Sequence, residues 1–207
     1  MSYIDLSQPI YAGMPVYPGD IPVLLEHSQI YSRDHYNNHR LETGMHIGTH
    51  IDGRMHMLDV NESIGNVPLD TFCGKGGIIR SENESIIRMK ACYSEIIKGK
   101  SIILFHTGMD KYYGEERYYM EHPVLDLSLC QYLAENKIRM IGVDMPSPDR
   151  IPFEVHKYLL HKNIYIIENL TNLDQIADSD QFEVFAFPLK IHADSSMARV
   201  AARIIRS

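Results

Sequence analysis

Eleven residues constrain this chain more than any others: His46-Ile-Gly-Thr-His50-Ile-Asp52-Gly-Arg-Met-His56. Imidazole nitrogen and carboxylate oxygen are the ligand set that Zn²⁺ and similar divalent ions accept. All four ligand-type residues occupy even positions, so an extended chain would aim them at one face. Extension alone cannot bring them to one ion. Four residues of strand span about 13 Å, whereas two ligands, each about 2.0–2.1 Å from a shared zinc, lie only about 3–4 Å apart. The chain must therefore curl between His46 and His50. Gly48 supplies the backbone freedom for that, and Gly53 is expected to do the same before His56. Chance HxxxH pairs are common in a chain with 11 histidines; Asp52, His56 and the two glycines set this one apart. The segment reads as a strand running into a tight loop that wraps a metal.

The rest of the chain suggests how such a loop is carried. Leu41, Thr43, Met45 and Ile47 alternate with other residues, which predicts a strand leading into the histidines. Apolar runs at Gly77–Arg80, Ser101–His106, Ile138–Val143, Ile164–Ile167 and Phe182–Leu189 predict further strands, with Ala198–Ile205 a weaker one. Helical patterning covers Leu127–Asn136, after Asp126 as N-cap, and Phe153–His161, after Pro152. Strands and helices interleaved in this way indicate an α/β fold with a mixed sheet. No linker or repeat interrupts the 207 residues, so a single domain over 1–207 is expected.

Charge and cysteine usage remove several classes of function. The formal net charge is −7, which gives no general attraction to nucleic acid or anionic membrane. No run of 18 apolar residues offers a membrane span. The N-terminal MSYIDLSQPI has neither a basic nor an apolar signal region, so no secretory signal is expected. Cys73, Cys92 and Cys130 are odd in number and far apart, as reduced cytoplasmic thiols are.

A second group of candidates lies downstream. His156 falls within the predicted helix, Glu168 directly follows the run Ile164–Ile167, and Asp144 closes Ile138–Val143. Acidic residues at the carboxyl ends of α/β strands stand where such sheets form their functional crevice. Read alone, Glu168 is better taken as a solvated strand-end residue, and His156 and His161 as residues of a helix surface.

Together these residues resemble a known family. HIGTHIDGRMH is similar to the HxGTHxDxPxH signature of the cyclase family of metal-dependent hydrolases, which includes bacterial kynurenine formamidase (arylformamidase). Pro15-Val-Tyr-Pro-Gly-Asp20 resembles that family's PxWPGD segment on the substrate side. Phe105-His-Thr-Gly108 resembles its RTG motif, and Ile141–Asp149 its GxDxxSxD stretch. The spacing of 168 − 156 = 12 is that of the family's metal-binding histidine and bridging glutamate.

The resemblance implies a swivelling β/β/α fold and a homo-oligomer, dimer or tetramer, acting on a small molecule. It implies His46, His50, Asp52 and Glu168 around one metal, and Asp52, His156 and Glu168 around another. His56 becomes the proton donor and acceptor. Up to two divalent ions per chain follow, zinc first and manganese as an alternative. Two bridging carboxylates suit two-metal hydrolysis, in which water is activated at neutral pH. The implied reaction is cleavage of an amide, of the formamide type found in N-formylkynurenine in tryptophan catabolism. A cyclic amide such as the lactam of isatin is the alternative on the same fold, and a non-catalytic metal-binding protein the alternative from another class. His56, surplus to the ligand set, favours an enzyme.

Two positions depart from the family pattern. Arg54 replaces the signature proline, removing a φ restraint and adding a permanent cation. Tyr17 replaces a tryptophan, keeping an aromatic face while adding a hydroxyl. As substrate-binding residues, both point to a more polar or anionic substrate than N-formylkynurenine.

Overall fold

The computed structural model describes residues 3–179 and 181–205. Among these described residues twelve strands are formed: β1 (Tyr3–Asp5), β2 (Leu24–Gln29), β3 (Asn38–Glu42), β4 (His50–Asp52), β5 (Cys73–Arg80), β6 (Ile86–Ile87), β7 (Ile102–His106), β8 (Val124–Leu125), β9 (Met140–Val143), β10 (Tyr165–Glu168), β11 (Phe182–Pro188) and β12 (Ser195–Ile204). The α-helices are α1 (Tyr31–Asp34), α2 (Tyr93–Ile97), α3 (Glu116–Met120), α4 (Leu127–Glu135) and α5 (Glu154–His161).

The apolar runs form the middle of the sheet. β5, β7, β9 and β10 are parallel neighbours in that order. β7, β9 and β10 are buried on both faces, as parallel strands covered on each side must be, whereas β5 exposes Lys75 and Arg80. Ile103, Phe105, Ile141 and Val143 pack against Leu129 and Leu133 of α4 and Leu159 and Leu160 of α5. Ile102, Leu104, Met140 and Ile167 face the other way, toward Val184, Ala186, Val200 and Ala202. α4 starts where expected, with Asp126 accepting a hydrogen bond from the Ser128 amide at 2.9 Å.

The mixed sheet is not an open one. β11 runs antiparallel to β5, β12 antiparallel to β11, and the three-residue β4 pairs antiparallel with both β10 and β12. Seven strands thus close into a barrel, with β1 added outside the ring along β12. Closure depends on β4 offering a partner to each side, and a period-2 pattern cannot display that in three residues.

The strand expected over Leu41–Ile47 also differs. β3 ends at Glu42 and pairs only with β2, in a hairpin outside the barrel. Residues 43–44 leave the ladder and residues 45–49 bend instead of extending, where Gly48 takes a left-handed φ of 52°.

Candidate metal centre

β4 carries the centre of the signature between two partners. Its register sets His50 opposite Glu168 of β10 and Asp52 opposite Ser195 of β12. Two residues apart on one strand, His50 and Asp52 face the same side. The Gly48 bend folds His46 back, leaving its ring centroid 5.0 Å from that of His50. The Gly48 carbonyl is held by the Asn169 side-chain amide at 2.9 Å. Thr49 donates to the Asn169 carbonyl at 2.7 Å. A short 3₁₀ turn, Arg54–His56, then swings His56 to 4.1 Å from His46, centroid to centroid.

Gly53 does something other than expected. Its φ is −92°, open to any residue. What requires glycine is a close approach, since a Cβ there would lie 2.5 Å from the Asp194 carbonyl oxygen.

His156 reaches the cluster from α5. Its Nε2 lies 3.2 Å from Oε1 of Glu168 and 3.6 Å from Oδ2 of Asp52. His50 Nε2 lies 3.3 Å from Oε2 of Glu168 and 3.4 Å from Oδ1 of Asp52. His46 Nδ1 is 2.9 Å from Oδ1 of Asp52. The structure therefore brings together all five residues expected to bind metal, and His56 beside them. Ligand atoms of His50, Asp52 and Glu168 fall within 4.8 Å of one another, and so do those of His46, Asp52 and His56. His56 is thus placed where it could ligate as well as carry protons.

The polar atoms at the centre test whether a cation fits. His50 Nε2, both Asp52 oxygens and Glu168 Oε1 are buried and make no hydrogen bond. An unpaired buried polar atom costs about 1–3 kcal/mol, so four orphans within one cluster, facing His46, His50 and His156, describe a vessel for divalent ions. The remaining nitrogens agree. His50 Nδ1 donates to the Gly48 carbonyl at 2.9 Å and His156 Nδ1 to Asp149 at 2.5 Å, which leaves each Nε2 free for metal.

Without a cation, the cluster neutralises itself with protons. Burial opposes charge on His50, but Asp52 and Glu168 overcome it and raise its pKa to about 10. Burial likewise opposes charge on His46, which Asp194 and Asp52 raise to about 9. Burial disfavours the Asp52 carboxylate, yet His156, His46 and His50 hold its pKa well below the usual value. His56 goes the other way, lowered chiefly by burial.

A cavity of about 270 Å³ opens over these residues. His46, His50, His56, His156 and Glu168 are among its polar lining; Tyr17, Tyr113, Tyr119, Phe153, Val16 and Pro15 are among its aromatic and apolar lining. Tyr17 stands edge-on to Tyr119 at 5.9 Å. Arg54 does not line the cavity: its guanidinium turns to Glu62, 3.3 Å away. The cation expected beside the substrate is neutralised elsewhere. Among the described residues lining the cavity there is no lysine or arginine, and the carboxylate of Asp20 is present.

Asp144 supports rather than lines the site. It accepts hydrogen bonds from the amides of Thr107 and Gly108 at 2.8–3.0 Å, which joins the two motif-bearing loops. Burial dominates its pKa, raised to about 6. His161 ends α5 on an exposed face. Three contributors were not visible in the sequence reading: Asp149 behind His156, Tyr119 opposite Tyr17, and Asp194 behind His46. Asp149 lay within a motif already singled out, whereas Asp194 stands 148 residues from its partner with no local pattern to mark it.

A closed barrel with histidine and carboxylate ligands converging beneath an open cavity defines a metal-dependent hydrolase class of site. Comparison with known proteins is more specific. Residues 4–150 match the family model described as "Putative cyclase", and the chain belongs to this cyclase family. It is 32% identical to the kynurenine formamidase of Bacillus cereus, with 98% of each chain covered. It is 30% identical to that of Bacillus anthracis, with the same coverage. A "predicted metal-dependent hydrolase from Bacillus stearothermophilus" superimposes with a TM-score of 0.76 at 25% identity, covering 97% of each chain. Isatin hydrolase A from Labrenzia aggregata shares the fold, with a TM-score of 0.87 at 22% identity over 98% of this chain and 93% of its own.

Proposed function

We propose that this chain, acting as one domain, hydrolyses the amide of a small aryl formamide of the N-formylkynurenine type. The observation that carries this reading is the set of four orphaned buried atoms, on His50, Asp52 and Glu168, at the base of a cavity walled by aromatic rings. His46, His50, Asp52 and Glu168 would hold one divalent ion, and Asp52, Glu168 and His156 a second, with zinc the first choice and manganese the next. When bound, such ions polarise a carbonyl and make water a nucleophile at neutral pH. The protein's own groups do the remainder. Tyr17, Tyr119 and Phe153 give a flat aryl group apolar surface to lie against and exclude water from the scissile bond. His56, half-buried at the cavity edge with a lowered pKa, is uncharged near neutrality and able to accept a proton. It passes that proton to the departing nitrogen, a contribution typically worth about 10²–10⁴ in rate.

The expected preference for an anionic substrate loses its support, because Arg54 is engaged by Glu62. A cyclic amide is the second reading, favoured by flat aromatic walls that accept a fused bicycle. A purely structural metal is disfavoured, since structural sites are closed and this one forms part of a cavity wall. Turnover of N-formylanthranilate-type formamides and of lactams, with and without chelator, tests the reading; no chelator-sensitive turnover of any amide would end it.

A homo-oligomer and a cytoplasmic location belong to the same proposal. The β2–β3 hairpin exposes Leu24, Leu41, Tyr31 and Tyr36, and an isolated two-stranded hairpin is only marginally stable in water, so a second copy is proposed to cover it. Light scattering would expose a monomer. Unpaired Cys73, Cys92 and Cys130 agree with a reducing compartment. No described helix is long and apolar enough to cross a membrane.

A further inference from the structure

His46 differs from the other imidazoles in which nitrogen it turns inward. His50 and His156 donate from Nδ1 and leave Nε2 facing the carboxylates. In His46 it is Nδ1 that lies 2.9 Å from Asp52, while Nε2 lies 2.8 Å from Oδ2 of Asp194 and 2.9 Å from the Ser195 hydroxyl. An imidazole that ligates through one nitrogen donates a proton from the other, and the acceptor of that proton selects the tautomer.

Asp194 also bears on His56. Its carbonyl accepts the Gly53 amide at 2.9 Å, at the close approach that only glycine permits, and so docks the loop that carries His56. Its carboxylate stands 3.6 Å from His56 Nδ1, and the neighbours of that ring are His46 and, at 5.9 Å between centroids, His156. One residue at the head of β12 thus meets both histidines that flank the ligand cluster.

We propose that Asp194 is a positioning residue: its carboxylate holds His46 in the tautomer that presents Nδ1 to the metal, and it stands against His56 Nδ1 at 3.6 Å. It touches neither the ion nor the substrate, and acts through His46 and His56. The inference rests on the metal reading of the site and is independent of which amide is cleaved.

The test is a double-mutant cycle read by metal affinity. Metal-stripped wild type, Asp194→Ala, His46→Ala and the double variant are titrated calorimetrically with Zn²⁺ and with Mn²⁺. Loss of a group that orients a ligand typically weakens metal binding about 10–100-fold, and that is the loss expected for Asp194→Ala. In the His46→Ala background the same substitution should have little further effect, because the residue it acts through is gone. A general structural defect would persist in both backgrounds and overturn the proposal. Asp194→Asn keeps a carbonyl oxygen able to accept from Nε2–H and should recover most of the affinity; an Asn variant as weak as Ala also overturns it. If the Ala variant fails to fold, the cycle is run with Asp194→Leu, which fills the same space without an acceptor. Wild-type protein that takes up no metal would remove the functional reading itself. Normal uptake by wild type and Asp194→Ala alike would remove only this inference.

Discussion

Asp149→Asn should separate the stability of the fold from the quality of the metal site. Oδ2 of Asp149 accepts the amides of Val155 and His156 at 2.7 and 3.1 Å, and Oδ1 accepts Nδ1–H of His156. Asparagine has one acceptor oxygen to divide between these duties. Turned toward the helix, it satisfies the first-turn donors of α5 and points its NH₂ at the imidazole. Nδ1 must then become the acceptor, which moves the ring proton to Nε2. That atom lies 3.2 Å from Glu168 and 3.6 Å from Asp52, where the ion would be held. For the fold, the two charged hydrogen bonds to the amides of Val155 and His156, of about 1.5–3 kcal/mol each, become neutral ones of about 0.5–1.5, a loss of roughly 2–3 kcal/mol in all. For the metal, the expected loss is about 10–100-fold in affinity, or about 1.4–2.8 kcal/mol. Urea unfolding of the stripped protein measures the first quantity and calorimetric metal titration the second. An Asn variant that binds metal within twofold of wild type would show that the tautomer of His156 does not matter, and the argument from its Nδ1 partner would be wrong.

Three further outcomes follow from the same geometry. His56→Ala should retain near-normal metal and lose about 10²–10⁴-fold in turnover, whereas His50→Ala should lose metal; equal metal loss, measured by elemental analysis, would make His56 a ligand. Glu168→Ala removes a carboxylate within 3.3 Å of both His50 and His156 and should lose metal and activity together, so full metal occupancy would contradict its bridging role. Finally, His46 and His50, raised to about 9 and 10, bind protons more tightly folded than unfolded. Their stabilisation of the metal-free fold is complete below pH 6.5 and is lost as pH rises through 9–10. Because burial opposes charge on His156 but Asp149, Asp52 and Glu168 overcome it and raise its pKa as well, metal uptake at pH 7 should release up to three protons per chain, visible as a dependence of the calorimetric heat on buffer ionisation; no such dependence would refute the charge assignment.

The ligands were legible in the sequence because their chemistry is rare and their spacing local. His46, His50, Asp52 and His56 announced a curled chain, and Gly48 bends it as anticipated. Apolar runs such as Ser101–His106 and Ile164–Ile167 likewise declared strands, which form as Ile102–His106 and Tyr165–Glu168. What escaped was whatever depends on distant partners. β4 is three residues long and becomes a strand only by pairing with segments more than a hundred residues away. Alternation over Leu41–Ile47 mimicked a strand across a bend. Arg54 reads from the sequence as a substrate contact, but Glu62, eight residues on, engages it. The closure of the sheet was hidden for the same reason as Asp194: both reside in contacts between the beginning and the end of the chain.

β4 is the seam of the barrel, and its position has a consequence for how the molecule comes together. Its two ladders are the contacts that turn a curved ribbon into a ring, and both demand closure of very long loops, which is slow. His50 and Asp52 sit on the seam, Glu168 on one lip of it and Asp194 at the start of the other. An ion gripped here would therefore act as a clasp across the last join to be made. Stripping it should loosen β4 before any other strand, so that amide exchange at residues 50–52 quickens while the parallel strands behind α4 and α5 stay shut.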